Sequence, residues 1–263
     1  MRCHCAWTLK PFLTLGQTRT PDGSNFSLHE HDGEFFLKLN GRQLMSTTST
    51  TSELLLAELS CKNLERVPGA RVLIGGLGLG YSLRRALDFV RKDSIVEVAE
   101  LLPEVVQWNR EFLHHVNGAL LDDKRVKVTV GDVFSILKAA PPESYDAILL
   151  DVDNGPTSLV QPGNKRLYDR RGFGIIKRAL RPEGIVAYWA AEPERYFTEH
   201  LGRAGFLASE IPCKAHERAK RFAHMIYVGR IDPNPVEEPT EVKPTHVPPK
   251  RGSWKNNRRQ RDW

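Results

Sequence analysis

The chain has 263 residues, and 40% of them are hydrophobic, which is enough to form a substantial folded core. No stretch approaches the roughly 18 consecutive apolar residues that cross a membrane, and the first residues lack the apolar run of a secretory signal. We therefore expect a cytoplasmic protein with no membrane partner. Its four cysteines are expected to be free thiols.

The positive charge is concentrated near the end of the chain. The formal net charge is +6, and residues 243–263 hold seven Lys or Arg against one Asp, so the rest of the chain is neutral. Six prolines precede or fall within this segment, and apolar periodicity is lost. We interpret residues 231–263 as a disordered, basic, Pro-rich tail. Its cations and tryptophans would allow weak nucleic-acid contact, and a solubilising role is the alternative.

Residues 1–65 are expected to form a small β-hairpin region followed by a helix. Residues 25–46 read as β structure, with a turn at Asp32-Gly33 and a strong hairpin signal at Asn40-Gly41. Thr50 and Glu53 have the spacing of a capping box, which predicts that the helix begins there.

Residues 66–230 alternate short β-rich runs with helical stretches, which is typical of a parallel sheet covered by helices on both faces. We expect a Rossmann-like α/β domain whose seven-stranded, mostly parallel sheet ends in an antiparallel pair. The predicted strands are 71–75, 94–99, 126–130, 147–151, 184–189, 206–211 and 222–229, and the predicted helices are 82–92, 103–116, 133–139, 167–180 and 194–204.

A glycine-rich loop follows the first of these strands. Gly76, Gly78 and Gly80 would permit a tight turn and a close approach of a ligand to the backbone. The spacing is not Gly-x-Gly-x-x-Gly, which disfavours a dinucleotide, and a packing turn without a ligand is the alternative.

Acidic residues follow the next three strands. Glu100 could accept hydrogen bonds from ribose hydroxyls. Asp132, next to Val133, could accept from an adenine amino group, or it could cap a helix. After the fourth strand, Asp151 is a candidate general base, and Asp153 and Asn154 are candidates for holding a cationic substrate.

Residues 25–230 resemble the spermidine synthase family, the polyamine aminopropyltransferases, as a divergent member with a fold like that of class I S-adenosylmethionine-dependent methyltransferases. The resemblance implies a transferase of polyamine biosynthesis, with decarboxylated S-adenosylmethionine as donor and an amine as acceptor. S-adenosylmethionine itself is the alternative donor, and we expect no metal. It implies donor contacts from the glycine loop, Glu100, Asp132 and Val133, and a proton-accepting Asp151. The matching motifs are Leu39–Ser46, the glycine loop, Glu100, Gly131-Asp132, Asp151 to Pro156, Leu167-Tyr168 and Leu180–Gly184, with Tyr168 a further candidate for substrate binding.

Three departures keep other functions open. The family's second aspartate after the fourth strand is replaced by Asn154, with Asp153 shifted by one position. The family's loop carries an aspartate for the donor's amino group, where this chain has Gly78 or Leu79. The tyrosine of the family's acceptor signature is absent from residues 51–55. One alternative is therefore a methyltransferase that uses S-adenosylmethionine, and another is a non-catalytic nucleoside- or nucleic-acid-binding protein. The acceptor and the presence of a homodimer are left open.

Overall fold

The computed structural model describes residues 11–152 and 162–233. Its first part is a four-stranded antiparallel sheet of order β1-β2-β3-β4, where the sequence predicted only a hairpin region. The strand bounds are β1 Leu13–Arg19, β2 Asn25–His31, β3 Glu34–Leu39 and β4 Arg42–Ser46.

Strand β1 is the element that the sequence did not predict. Gly16 lies at an irregularity in its pairing with β2, between Thr14 and Gly16. A Cβ atom at Gly16 would lie 2.2 Å from Nε1 of Trp108, so glycine is needed for the close contact between this sheet and the following domain. Phe26 of β2 stacks on the same tryptophan, with 6.1 Å between ring centroids.

The second part is a seven-stranded sheet of order β10-β11-β9-β8-β5-β6-β7. The five strands from β9 to β7 are parallel, and β11 and β10 pair antiparallel at one edge. This confirms the expected Rossmann-like arrangement. Its strands are β5 Arg71–Gly75, β6 Ile95–Glu100, β7 Val126–Val130, β8 Tyr145–Leu150, β9 Leu180–Ala190, β10 Phe206–Cys213 and β11 His224–Ile231.

Helices cover both faces of this sheet and enclose two apolar cores. Val72 and Ile74 of β5 belong to one core, and Leu73 between them belongs to the other, as the two-residue period of a strand requires. The helices are α1 Thr51–Cys61, α2 Tyr81–Leu87, α3 Pro103–Glu111, α4 His114–Asn117, α5 Val133–Ala139, α6 Arg170–Ala179 and α7 Phe197–Arg203.

Some predicted bounds were wrong for local reasons. The predicted helix 103–116 is divided into α3 and α4, and the predicted helix start at Leu167 is a 3-10 turn, with α6 beginning at Arg170 after its cap Asp169. Strand β9 begins at Leu180, earlier than predicted, and continues through Glu183, whose φ is +66°. The tail proposed for residues 231–263 lies outside the described residues from position 234 onward, and the division into domains stays a prediction.

Candidate active site

A cleft with about 160 Å³ of space for water-sized molecules lies at the carboxyl ends of the parallel strands. Ligands of open α/β sheets bind at this edge. The four-stranded sheet and α1 form one wall, and the main domain forms the other. The lining residues are Thr20, Phe26, Leu37, Leu44, Met45 and Glu53 on the first wall and Gly76, Gly78, Ala99 to Leu102, Val105, Gly131 to Val133, Asp151, Val152, Asn164 and Trp189 on the second.

The glycine loop forms the floor of the cleft at two of its three predicted positions. Gly76 has a φ of +90°, and a Cβ atom there would lie 2.4 Å from the carbonyl oxygen of Asp151. Gly78 has a φ of +51°, and a Cβ atom there would lie 2.6 Å from the sulfur of Met45. Gly80, at the start of α2, is directed instead toward the side chains of Asn117 and Asn109, which fits the alternative of a packing turn at that position.

Glu100 ties the glycine loop to the loop after β6. One carboxylate oxygen accepts from the N–H of Leu77 and the other from the N–H of Leu102, each at 2.9 Å. The side chain is 7% exposed, and burial raises its pKa, although the backbone N–H groups partly oppose the shift. The N–H groups of Leu101 and Gly78 also act on this carboxylate, and its expected contact with ribose hydroxyls stays a prediction.

Asp132 caps α5, which was the alternative weighed for it. It accepts from the N–H groups of Phe134 and Ser135, both at 3.2 Å, and forms an ion pair with Arg166 at 3.1 Å. It also lines the cleft together with Val133, which is buried. Its expected contact with adenine stays a prediction.

The candidate base Asp151 lies directly after β8 and lines the cleft, as does a second acid, Glu53. Its Oδ2 atom accepts from the Ser82 hydroxyl at 3.4 Å. Burial and the negative charge of Glu53 raise the pKa of Asp151 to about 7. A carboxyl with such a pKa can both take and give a proton near neutral pH.

Glu53 is the functional candidate that the sequence reasoning missed. It was assigned to a capping box, but Thr50 makes no side-chain capping bond. The Glu53 carboxylate instead accepts from the Ser52 hydroxyl at 2.6 Å, is 6% exposed, and lines the cleft. The helical spacing of the sequence could have shown that Glu53 is buried. Glu53 lies on the same face of α1 as the buried residues Leu56, Ala57, Ser60 and Cys61.

Of the other predicted residues, one lies away from the cleft and two are outside the described part of the chain. Tyr168 is buried in an aromatic cluster, 5.7 Å from the ring of Tyr188 and 6.2 Å from that of Phe197. Asp153 and Asn154 lie outside the described residues.

Within residues 11–152 and 162–233, no group of three His, Cys, Asp or Glu side chains could hold a metal ion. In the same residues, no helix is long and apolar enough to cross a membrane.

Among the described residues, the ionisable side chains that line the cleft are all acidic. The set is Glu53, Glu100, Asp132 and Asp151. Within the described part of the chain, only Asp132 of these four forms an ion pair with a basic side chain, that of Arg166. The cleft is therefore suited to cations and hydrogen-bond donors, and it offers a poor environment to a carboxylate.

Sequence comparison gives relatives that catalyse two kinds of transfer. The chain is 36% identical over 128 residues to the polyamine aminopropyltransferase of Mycobacterium tuberculosis, covering 48% of this chain and 24% of that protein. It is 36% identical over 120 residues to putrescine N-methyltransferase 2 of Nicotiana tabacum, covering 44% of this chain and 31% of that protein. The matches thus span about a quarter to a third of these relatives.

Solved structures match most of the chain, and a family model matches its central part. The spermidine synthase of Thermotoga maritima matches with a TM-score of 0.63 at 14% identity, covering 85% of this chain and 74% of that one. A probable spermidine synthase of Corynebacterium glutamicum matches with a TM-score of 0.58 at 18% identity, covering 82% of this chain and 79% of that one. The model of the spermine/spermidine synthase domain matches residues 61–200. The chain belongs to the spermine/spermidine synthase domain family.

Proposed function

We propose that the protein transfers an aminopropyl group from decarboxylated S-adenosylmethionine to an amine. The observation that carries this proposal is the acidic lining of the cleft, in which the described residues supply four carboxyl groups and no Lys, Arg or His. A donor with an ammonium and a sulfonium but no carboxylate fits such a cleft. The aminopropyltransferase relatives support the same chemistry.

The hydrogen bonds of the glycine loop also favour the decarboxylated donor. The carboxylate of S-adenosylmethionine would need free N–H groups in this loop. Yet the N–H groups of Gly76, Leu77 and Gly80 already donate to Ala99, Glu100 and the loop itself. A carboxylate placed here would therefore meet few free donors and several negative charges.

The residues of the chain have distinct roles in this proposal. Gly76, Gly78, Glu100, Asp132 and Val133 would hold the nucleoside end of the donor, whose sulfonium supplies a carbon that is ready for nucleophilic attack. Asp151 would accept the proton that an ammonium must lose before its nitrogen can attack. Holding the two substrates in one cleft would supply much of the rate through orientation.

Methyl transfer to an amine is the second candidate, and a specific observation favours it. At Gly78 the loop presents no carboxylate, and the thioether of Met45 occupies the adjacent space. The similarity of the chain to putrescine N-methyltransferases supports this candidate.

Calorimetric titration of the full chain with each donor distinguishes the two. We expect the decarboxylated donor to bind at least about tenfold more tightly, because even one repulsive charge contact of about 1.4 kcal/mol gives this ratio. A preference for S-adenosylmethionine would overturn the proposal in favour of methyl transfer. Failure of both donors to bind would favour a non-catalytic protein.

A further inference from the structure

The loop between β10 and β11, residues 214–223, lies at the same edge of the main sheet as the cleft. Strand β11 runs antiparallel to β9, so its first residues pair with the last residues of β9. His224, which follows the loop, has its ring 4.9 Å from that of Trp189, a residue that lines the cleft. Cys213 precedes the loop, and burial together with the charge of Glu53 raises its pKa to about 11. Both ends of the loop therefore border the cleft.

The β10–β11 loop is strongly basic, and its exposed cations are unpaired. It holds Lys214, Arg218, Lys220 and Arg221 against one acid, Glu217, which gives a net charge of +3. Arg218, Lys220 and Arg221 are exposed. Within the described part of the chain, the side chains of these three form no ion pair or hydrogen bond. Their charge is therefore available to a partner.

The same loop carries an exposed aromatic ring. Phe222 is 65% exposed, the largest exposed fraction among the large hydrophobic side chains of the described residues. It directly follows Lys220 and Arg221. Proteins bind single-stranded nucleic acids with this combination, because cations contact the phosphates and a base stacks on the ring.

The neighbouring segments add hydroxyl groups and little opposing charge. Residues 46–52 are all Ser or Thr, and the Ser49 hydroxyl of this segment donates to the carbonyl oxygen of Ala215 in the loop at 2.9 Å. Hydroxyl side chains are common partners of phosphate oxygens. The loop after β9 contributes Glu192, Glu194 and Arg195, a net charge of −1. The rim formed with the β10–β11 loop thus stays positive.

The basic rim and the acidic cleft favour different parts of a ligand. A free polyamine is positive along its whole length, so a positive rim opposes its approach. A nucleic acid strand carries a negative phosphate at each nucleotide and is attracted to the same rim. Its bases are uncharged and bear N–H donors, which suit the carboxyl groups inside the cleft.

Two other anionic partners fit the loop less well. An anionic membrane surface is held by a broad apolar face together with cations, whereas Phe222 is the one large hydrophobic side chain of residues 214–223. An acidic peptide would pair with the cations but gives the exposed ring no flat surface to stack on. Phosphates joined to planar bases match both features.

We propose that the β10–β11 loop is a docking surface for single-stranded nucleic acid at the mouth of the cleft. Arg218, Lys220 and Arg221 contact the phosphates, and Phe222 stacks on a base. The inference goes beyond the proposed function and concerns binding alone, so it does not depend on which group is transferred. It is also separate from the contact expected of the tail, since the loop belongs to the folded part of the chain.

The salt dependence of binding tests the cations. A labelled RNA of about 12 nucleotides and mixed sequence is titrated with the full chain, and fluorescence anisotropy is recorded over a series of salt concentrations. The loop variant combines Arg218→Gln, Lys220→Gln and Arg221→Gln. We expect its affinity to fall about tenfold or more at roughly 0.1 M salt. The slope of log affinity against log salt should become less steep by about 2, because three phosphate contacts are lost.

A matched control removes three exposed cations from the opposite edge of the sheet. It combines Lys62→Gln and Arg66→Gln, which precede β5, with Lys92→Gln, which precedes β6. The control has the same net charge as the loop variant, and both keep the tail. It should retain the salt slope of the unmodified protein, since these positions lie away from the cleft.

The ring is tested by two single variants. Phe222→Ala should lower the affinity about five- to a hundredfold while leaving the salt slope unchanged, because stacking is lost without loss of a phosphate contact. Phe222→Leu should lose nearly as much, since leucine keeps apolar area but has no ring. Because Phe222 is exposed, both variants should keep the melting temperature of the unmodified protein.

Each outcome decides the inference separately from the proposed function. A loop variant that binds RNA as the control does, or an unmodified chain that binds no RNA at roughly 0.05 M salt, overturns the docking surface. So does loop-dependent binding to phosphatidylserine vesicles without RNA binding, which would identify a membrane surface instead. Loop-dependent RNA binding in a chain that binds neither donor supports the inference and refutes aminopropyl transfer, and donor binding without loop-dependent RNA binding does the reverse.

Discussion

Replacing Gly76 by alanine should damage both the fold and the site, because two separate costs fall on this position. Its φ of +90° lies where residues with a Cβ atom are strained. The added Cβ atom would also lie 2.4 Å from the carbonyl oxygen of Asp151. Carbon–oxygen contacts of this kind need roughly 3.3 Å, so the loop and the Asp151 backbone must separate by about 0.9 Å.

The size of the effect follows from these two costs. The left-handed conformation costs about 1–2 kcal/mol, and overpacking typically adds about 1–3 kcal/mol. We expect the free energy of unfolding to fall by about 2–5 kcal/mol, which lowers the melting temperature by roughly 4–20 °C for a domain of this size. Because the displaced backbone carries Asp151, amine binding should weaken too.

Alanine variants of two other glycines separate the conformational cost from the overpacking cost. Their melting temperatures are measured under the same conditions as that of Gly76→Ala. Gly33, in the turn after β2, has a φ of +81° with open space around it, so Gly33→Ala should show only the conformational cost. Gly131 has neither a positive φ nor a close neighbour, so Gly131→Ala should be nearly neutral. The reasoning is refuted if Gly76→Ala is destabilised no more than Gly33→Ala.

Two further variants test the nucleoside and acid–base roles. In Asp151→Asn, turnover with an accepted amine should fall about 10²–10⁴-fold while calorimetry shows nearly unchanged donor affinity; near-normal turnover would remove Asp151 as the base. The Glu100 carboxylate accepts hydrogen bonds from the N–H groups of Leu77 and Leu102, one at each oxygen. In Glu100→Gln one oxygen becomes an NH₂ group, which would face one of these donors and could not accept from it. Donor affinity should therefore fall about ten- to a hundredfold, together with the melting temperature, and an unchanged affinity would exclude Glu100 from the site.

The centre of the main sheet was predictable because strands β5, β6 and β8 are buried on both faces. A buried parallel strand reads as a continuous apolar run that ends where polar or glycine residues begin. This is why β5 begins and ends where the sequence predicts. The bounds of β7 follow instead from its alternation of valine with polar residues, and the start of α5 follows from its cap Asp132. The order of such elements also places the candidate residues, since each parallel strand delivers the residue after it to the same edge.

Strand β1 and the burial of Glu100 were less predictable, because both depend on contacts with residues that are distant in the sequence. Strand β1 reads poorly because Gly16 interrupts its alternation, and that glycine is explained only by Trp108, which is far along the chain. The sequence placed Glu100 directly after the second strand of the main sheet, and in the structure it is the last residue of β6. It is buried, because the glycine loop folds over it and donates a hydrogen bond to it.

The acid pair shows why a site can be only half visible in a sequence. Asp151 is identified by its place after a strand, and that place depends only on the sheet. Glu53 satisfies a local rule, the spacing of a capping box with Thr50, and this local explanation conceals its position on the buried face of α1. A buried acid among leucines costs stability unless something binds it. Where a local motif assigns a carboxylate to a surface role while helical periodicity places it inside, the conflict itself indicates a functional residue.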